Sequence, residues 1–235
     1  MTFSWKRVHA IFLKDYKDFS RNMAVSTIIF LPPILAAFYG RMGIVSIESI
    51  YLIFNLTFAT VAAFVQTCLI AEEKEKNTLR GLMLSPASTS EILSGKGLLS
   101  FILTLVIVVF SAFLMDYTPD NIAVIVLALI LSTLFYIGLG TLLGLFAKSV
   151  MEASVLVLPV MLIFSFGSFI TVLAEKYPIL KAANYLPNVQ LVELAKNVEN
   201  GAAFWQVLPA LGIIALWIIV VSILTVIVFR KRMVD

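Results

Sequence analysis

Residues 122–146 read IAVIVLALILSTLFYIGLGTLLGLF, with no Asp, Glu, Lys, Arg or His among them. A helix of about 20 apolar residues, rising 1.5 Å per residue, crosses the hydrocarbon layer of a bilayer. This block therefore reads as a membrane span. It carries Gly138, Gly140 and Gly144, and the last two form a GxxxG pair that lets a second helix approach closely. The pattern is not a dinucleotide fingerprint, because the spacing is wrong and no strand precedes it.

The same reading outward gives further blocks at residues 23–39, 50–71, 98–115, 153–173 and 207–229, six in all, none with an internal Asp, Glu, Lys, Arg or His. The chain is 61% hydrophobic and 13% charged, against roughly 25% charged in a soluble domain. The expected fold is an all-α membrane protein, a six-span helical bundle forming a single domain over residues 1–235. An ionisable group at a helix centre costs about 2.5–3.5 kcal/mol on insertion scales, so proton relays and buried ion-pair switches are disfavoured. Pro32 and Pro33 in the first span and Pro159 in the fifth are expected to kink their helices. Cys68 is the single cysteine, which rules out an intrachain disulfide and a cysteine-rich metal site. The first apolar run follows a charged stretch, so it is expected to be retained as a span, not removed as a leader.

Within residues 1–22, Trp5, Val8, Phe12, Tyr16 and Phe19 recur at helical spacing, which predicts an N-terminal interfacial helix with its lysines toward headgroups. The net charge of +3 matters less than its distribution. Thirteen of the seventeen Lys and Arg fall on one side of the six blocks and four on the other. By the positive-inside rule, both termini and residues 72–97 are cytoplasmic in a multi-pass plasma-membrane protein. Basic residues at block ends suit anionic membrane lipid, and nucleic acid is not an expected partner.

Two connecting segments are long. Residues 71–86 read AEEKEKNTLRGLMLSP. Asn77 is expected to cap a short helix from Thr78 that Pro86 ends. Ser88 and Glu91 read as a capping box opening the helix that runs through Gly95 and Lys96 into the third span. In residues 174–206, Pro178 and Pro187 break the chain and Asn188 can cap a helix. Leu191, Leu194, Ala195 and Val198 give that helix one apolar face before Asn200 and Gly201 stop it. This predicts short re-entrant or outer helices on or in the outer leaflet.

The run Glu73-Lys74-Glu75-Lys76-Asn77-Thr78-Leu79, with Leu82, Ser85-Pro86, Glu91-Ile92 and Gly95-Lys96, resembles the signature of ABC type-2 transporter permeases. Asn77 stands where that family commonly has glycine, and Arg80 where it commonly has glutamate. Pro159, Gly167, Pro178, Tyr185, Leu186 and Pro187 are similar to the family's outer-segment spacing. The resemblance implies a coupling helix over residues 78–85 that seats in an ATPase subunit. It makes Glu73, Glu75, Thr78, Leu79, Arg80, Leu82, Pro86, Glu91 and Lys96 the coupling candidates. It also implies two ABC ATPase subunits and a second permease chain, the same or a paralogue. Spans two and five of such permeases meet across the dimer axis. Asn55, Ala59 and Gln66 on one, and Met161, Phe164, Ser168 and Thr171 on the other, become candidates for a substrate pathway. The competing reading is that small and polar residues simply pack helices.

The implied function is ATP-driven export of a hydrophobic or amphipathic substrate such as a peptide, antibiotic or lipid-like molecule. Residues 94–97, Ser-Gly-Lys-Gly, lack the earlier glycine and the following Ser/Thr of a P-loop. No cofactor is therefore expected on this chain, and ATP and Mg belong to the partner ATPase. A membrane enzyme built on Glu72 and Glu73 fails for lack of metal ligands, since His9 is the one histidine. A non-ATPase membrane sensor or channel component is the alternative.

Overall fold

The computed structural model describes residues 3–167 and 178–231, and among these every regular element is helical. In chain order they are α1 (Trp5–Arg21), α2 (Met23–Arg41), α3 (Ile47–Glu75), α4 (Thr78–Met83) and α5 (Thr89–Leu114). Then come α6 (Ile122–Phe146), α7 (Val150–Ser165), a 3-10 helix (Pro178–Tyr185), α8 (Pro187–Glu199) and α9 (Phe204–Lys231). Five of them, α2, α3, α5, α6 and α9, are long and apolar enough to cross a membrane, and α7 is a shorter apolar helix. The expected six spans thus appear as five plus α7, and residues 168–173 of the predicted fifth block lie outside the described residues.

Helix α3 is the axis of the bundle. In its apolar window 89% of the residues are buried, against 22% to 39% for the other four long helices. Its polar side chains make that burial tolerable. Thr57, Thr60 and Thr67 each donate a hydroxyl to the carbonyl four residues back, so none of these three hydroxyls enters the core without a partner. Between Phe58 and Phe64 the helix widens into a π-helical stretch.

Helix α6 packs against that stretch through its glycines. A Cβ on Gly140 would stand 2.4 Å from the Ala63 carbonyl oxygen, and one on Gly144 would stand 2.8 Å from that of Thr67. The predicted close approach therefore exists, and its partner is α3 of the same chain. Gly138 faces the other way, toward Val221 of α9. Beside these contacts the rings of Phe58 and Tyr136 stack at 5.4 Å, and Phe135 meets Trp217 edge-on at 5.9 Å.

Pro32 and Pro33 fall in the first turn of the α-helical part of α2, after a 3-10 turn at Thr27–Phe30. A first turn has no use for the missing N–H groups, so the 3-10 turn absorbs the expected kink. Pro159 lies inside α7. Asn188 does not cap α8, which starts at Pro187 with Leu186 as its cap residue. Its amide instead reaches the end of α7, donating to the Phe164 carbonyl at 2.9 Å and the Ile163 carbonyl at 3.3 Å. The last carbonyls of a helix lack intrahelical partners, and a remote side chain supplies them here. Leu191, Leu194, Ala195 and Val198 form the expected single apolar face of α8, and it is buried in the bundle.

The face of α1 turned to the bundle shares Val8 and Phe19 with the predicted interfacial stripe and leaves Trp5 and Tyr16 of that stripe on the outside. Val8, Ile11, Asp15 and Phe19 are buried, while Trp5 and Tyr16 are exposed. The spacing of three, four and four puts these residues on one stripe, which brings Asp15 to within 3.5 Å of Lys96 on α5.

Candidate functional site

The ends of α3, α6 and α9, the starts of α5 and α7, and the whole of α1 and α4 lie at the basic end of the bundle. The charged run at the end of α3 does not form a solvated loop there, because its side chains radiate to different helices. Glu73 forms an ion pair with Lys14 of α1 and another with Lys96 of α5, at 2.6 Å. Lys74 donates to the carbonyls of Leu145, at 2.6 Å, and Ala147, capping the end of α6. The Glu75 carboxylate accepts the Val150 N–H at 2.9 Å at the start of α7. A cation at a helix C-terminus and an anion at an N-terminus each meet the favourable end of the helix dipole. Lys76 turns back to Glu72 at 2.5 Å.

Lys96 is completely buried and stands 3.5 Å from Asp15 as well as 2.6 Å from Glu73. Its position depends on its neighbour Gly95. A Cβ there would fall 2.8 Å from Cβ of Ile11 and 3.1 Å from the Val8 carbonyl oxygen. Only a glycine lets α1 cross α5 closely enough for Asp15 to reach the ammonium. The Gly-Lys pair at the start of the third span is thus a single device, in which a gap admits α1 and a cation fastens it. Charges buried this deeply persist when they are paired. The ion-pair cluster lies just beyond the apolar blocks at residues 50–71 and 98–115, to which the expectation about buried ion-pair switches applies.

On its outer side the cluster opens into a pocket of about 140 Å³ lined by Lys14, Asp15, Asp18, Glu72, Glu73 and Thr78, among others. Burial pushes the Asp15 carboxyl above its usual range, Lys96 pulls it back, and Glu73 pushes it further up. A second clamp holds the start of α1. Glu91 accepts the Ser88 N–H at 2.6 Å in a capping box with the Ser88 hydroxyl, as the spacing predicts. The same carboxylate accepts the Ser4 N–H at 2.6 Å and pairs with Arg7 at 3.2 Å.

Helix α4 hangs from this base. Asn77 is left-handed, with φ of 56°, so it supplies the reversal that glycine gives and not an N-cap. Asparagine reaches that conformation more readily than other side chains. Thr78, Gly81, Leu84 and Pro86 are exposed, Leu84 to 82%, while Leu82 packs against the cluster of Ile11, Ile70, Ile92, Leu145 and Phe229. The side chains of Leu79 and Arg80 lie outside the described residues.

The coupling candidates therefore fall into two groups. Glu73, Glu75, Glu91 and Lys96 are committed to partners within the chain, and Thr78 and Pro86 face outward. Sequence reasoning missed Lys14, Asp15, Arg7 and Lys74 as members of the site, and Leu84 as its exposed apolar tip. Asp15 could have been found, since it interrupts the stripe of Val8, Ile11 and Phe19. These contacts make a joint: displacing the end of α3 would break ion pairs to α1 and α5 and charge-assisted hydrogen bonds to α6 and α7.

The pathway candidates on α3 lie inside the bundle. Gln66 donates to the Thr141 hydroxyl at 3.0 Å and accepts from the Ser100 hydroxyl at 2.9 Å, tying α3 to α6 and α5. Asn55 donates to the Asn188 carbonyl at 3.4 Å, and Ala59 is buried within the π-helical stretch. All three side chains are buried among the helices of this chain, as in the competing reading that such residues pack helices. On α7, Phe164 is buried among Phe135 and Tyr136, and Met161 is half-buried. Ser168 and Thr171 lie outside the described residues.

Comparison with protein families gives a match over residues 16–227 to a family described as ABC-2 family transporter protein. No curated protein matches the chain.

Proposed function

The chain belongs to the ABC-2 transporter family, and from that premise we propose that it is the permease subunit of an ATP-driven exporter. The observation that carries this reading is the joint at the basic end, where an exposed short helix tipped by Leu84 hangs from charges that reach four other helices. A partner ATPase seated on α4 would push on Thr78, Leu84 and Pro86. The displacement would pass through Glu73 and Glu75 to the ends of the spans. In this reading Glu73, Glu75, Glu91 and Lys96 transmit motion, and they do not touch the partner.

Both termini and α4 face the cytoplasm of a cell whose plasma membrane holds six spans, with α7 completing the sixth. Two permease chains and two ATPases form the working unit, and the substrate is hydrophobic or amphipathic. Met161 and Phe164, with Ser168 and Thr171, remain the pathway candidates, while Asn55, Ala59 and Gln66 hold the wall behind it. ATP and Mg act in the partner.

The test is co-purification with candidate ABC ATPases from the same genome, together with ATP-dependent efflux from vesicles. Replacing Leu84 by Glu removes an exposed contact, so bundle stability stays within about 0.5 kcal/mol while ATPase capture and efflux are lost. Unchanged capture by that variant, or efflux that persists without ATP, defeats the proposal.

A further inference from the structure

Helices α5, α6 and α9 leave between them a groove of about 480 Å³ that opens sideways from the bundle. That is within the range of about 300–1,000 Å³ typical of small-molecule sites. Its deeper part is walled by Phe101, Leu134 and Ile218, and toward the basic end it becomes polar at Ser94, Ser222 and Thr225. The row on α9 is Ile218, Ser222 and Val226, each four residues on and so on one face. The next member of that row is Arg230, which is exposed and has Lys231 beside it. Apolar walls, a hydroxyl collar and a cationic rim follow one another along the groove. That sequence of environments matches an amphiphile lying parallel to the bundle with an anionic head at the basic end.

We infer that the groove holds one anionic phospholipid of the leaflet facing the basic end, with an acyl chain against Phe101, Leu134 and Ile218 and its phosphate at Arg230. The choice of an anionic lipid over a neutral one rests on charge complementarity at the rim. A basic residue near a membrane surface favours an anionic lipid by about fivefold. The leaflet assignment rests on the orientation proposed above, whereas binding itself does not.

The experiment is native mass spectrometry of the purified chain released from mixed micelles holding equal amounts of phosphatidylglycerol and phosphatidylcholine. The wild type is expected to retain phosphatidylglycerol about fivefold over phosphatidylcholine. Arg230→Gln should keep lipid adducts but lose the preference, and Ser222→Trp should fill the groove and lose adducts of both kinds. Leu216→Trp, at an exposed position of α9 outside the groove lining, should behave as the wild type and controls for folding with a bulky side chain. Equal retention of the two lipids by the wild type overturns the inference, as does a Ser222→Trp variant that keeps its adducts. Orientation is read separately by an impermeant maleimide on Arg230→Cys in intact cells, where the native Cys68 is buried. Labelling from outside overturns the leaflet assignment and the proposed orientation together, and leaves the micelle result to decide the groove.

Discussion

Replacing Lys96 by Met tests whether the ionic joint holds the basic end together. Methionine is unbranched and adaptable enough to occupy the channel of the lysine stem, so the change removes charge more than volume. It leaves Glu73 and Asp15 buried, with Lys14 as the remaining cation near both. Removing one partner of a buried pair costs about 3–5 kcal/mol, because the other charge is stranded. Lys14 is partly exposed and already shared with Asp18, so it compensates in part and the expected loss is about 3 kcal/mol. Adding Glu73→Gln removes the stranded charge, and the double variant should recover to within about 1 kcal/mol of the wild type. Equilibrium unfolding in mixed micelles measures all four corners of the cycle. The reasoning is refuted if Lys96→Met costs under about 1 kcal/mol, or if the two substitutions simply add.

Gly140→Ala should destabilise the bundle by about 1–3 kcal/mol in the same assay, because the new methyl meets the backbone of Ala63, which cannot turn aside. Gly212→Ala, with open space around it, should be neutral or stabilising by up to about 1 kcal/mol. For Asp15, burial raises the folded-state carboxyl above its ordinary 3.8, so the folded protein binds that proton more tightly than the unfolded chain. Stability from this group therefore increases as pH falls through the raised value and levels off below 3.8. Asp15→Asn mimics the protonated form and leaves Lys96 paired with Glu73, so it should be at least as stable as wild type at pH near 7. The difference should shrink on acidification, and unfolding curves in which it widens would contradict the assignment.

The sequence exposed the spans, the α6 glycine pair and the Ser88 to Glu91 capping box because each is a local pattern, decided by hydropathy, residue size or a three-residue spacing. The joint was not legible, since its pairs join residues far apart in the chain. Lys14 and Glu73 are 59 positions apart, and Asp15 and Lys96 are 81 apart. Periodicity shows that α1 has an apolar face but not which helix covers it. The same limit applies to Asn55 and Gln66. A polar residue in a span fits a pathway or a packed interior equally well until the helices around it are placed. Asn188 looked like a local cap because its true acceptors, the Ile163 and Phe164 carbonyls, lie on another helix.

The enclosure of α3 has a consequence for how the protein is made. Synthesis proceeds from the N-terminus, so α3 leaves the ribosome before every helix that will surround it except α1 and α2. At that moment the Gln66 amide has neither Ser100 nor Thr141 to bond, and Lys96, the innermost counter-ion of Glu73, does not yet exist. The span that ends most deeply buried begins as one poorly suited to lipid. It therefore needs shelter in the insertion machinery until α5 and α6 arrive. A nascent chain arrested when α3 but not α5 has cleared the ribosome should stay crosslinked to that machinery through α3, and one arrested after α6 has cleared it should be released.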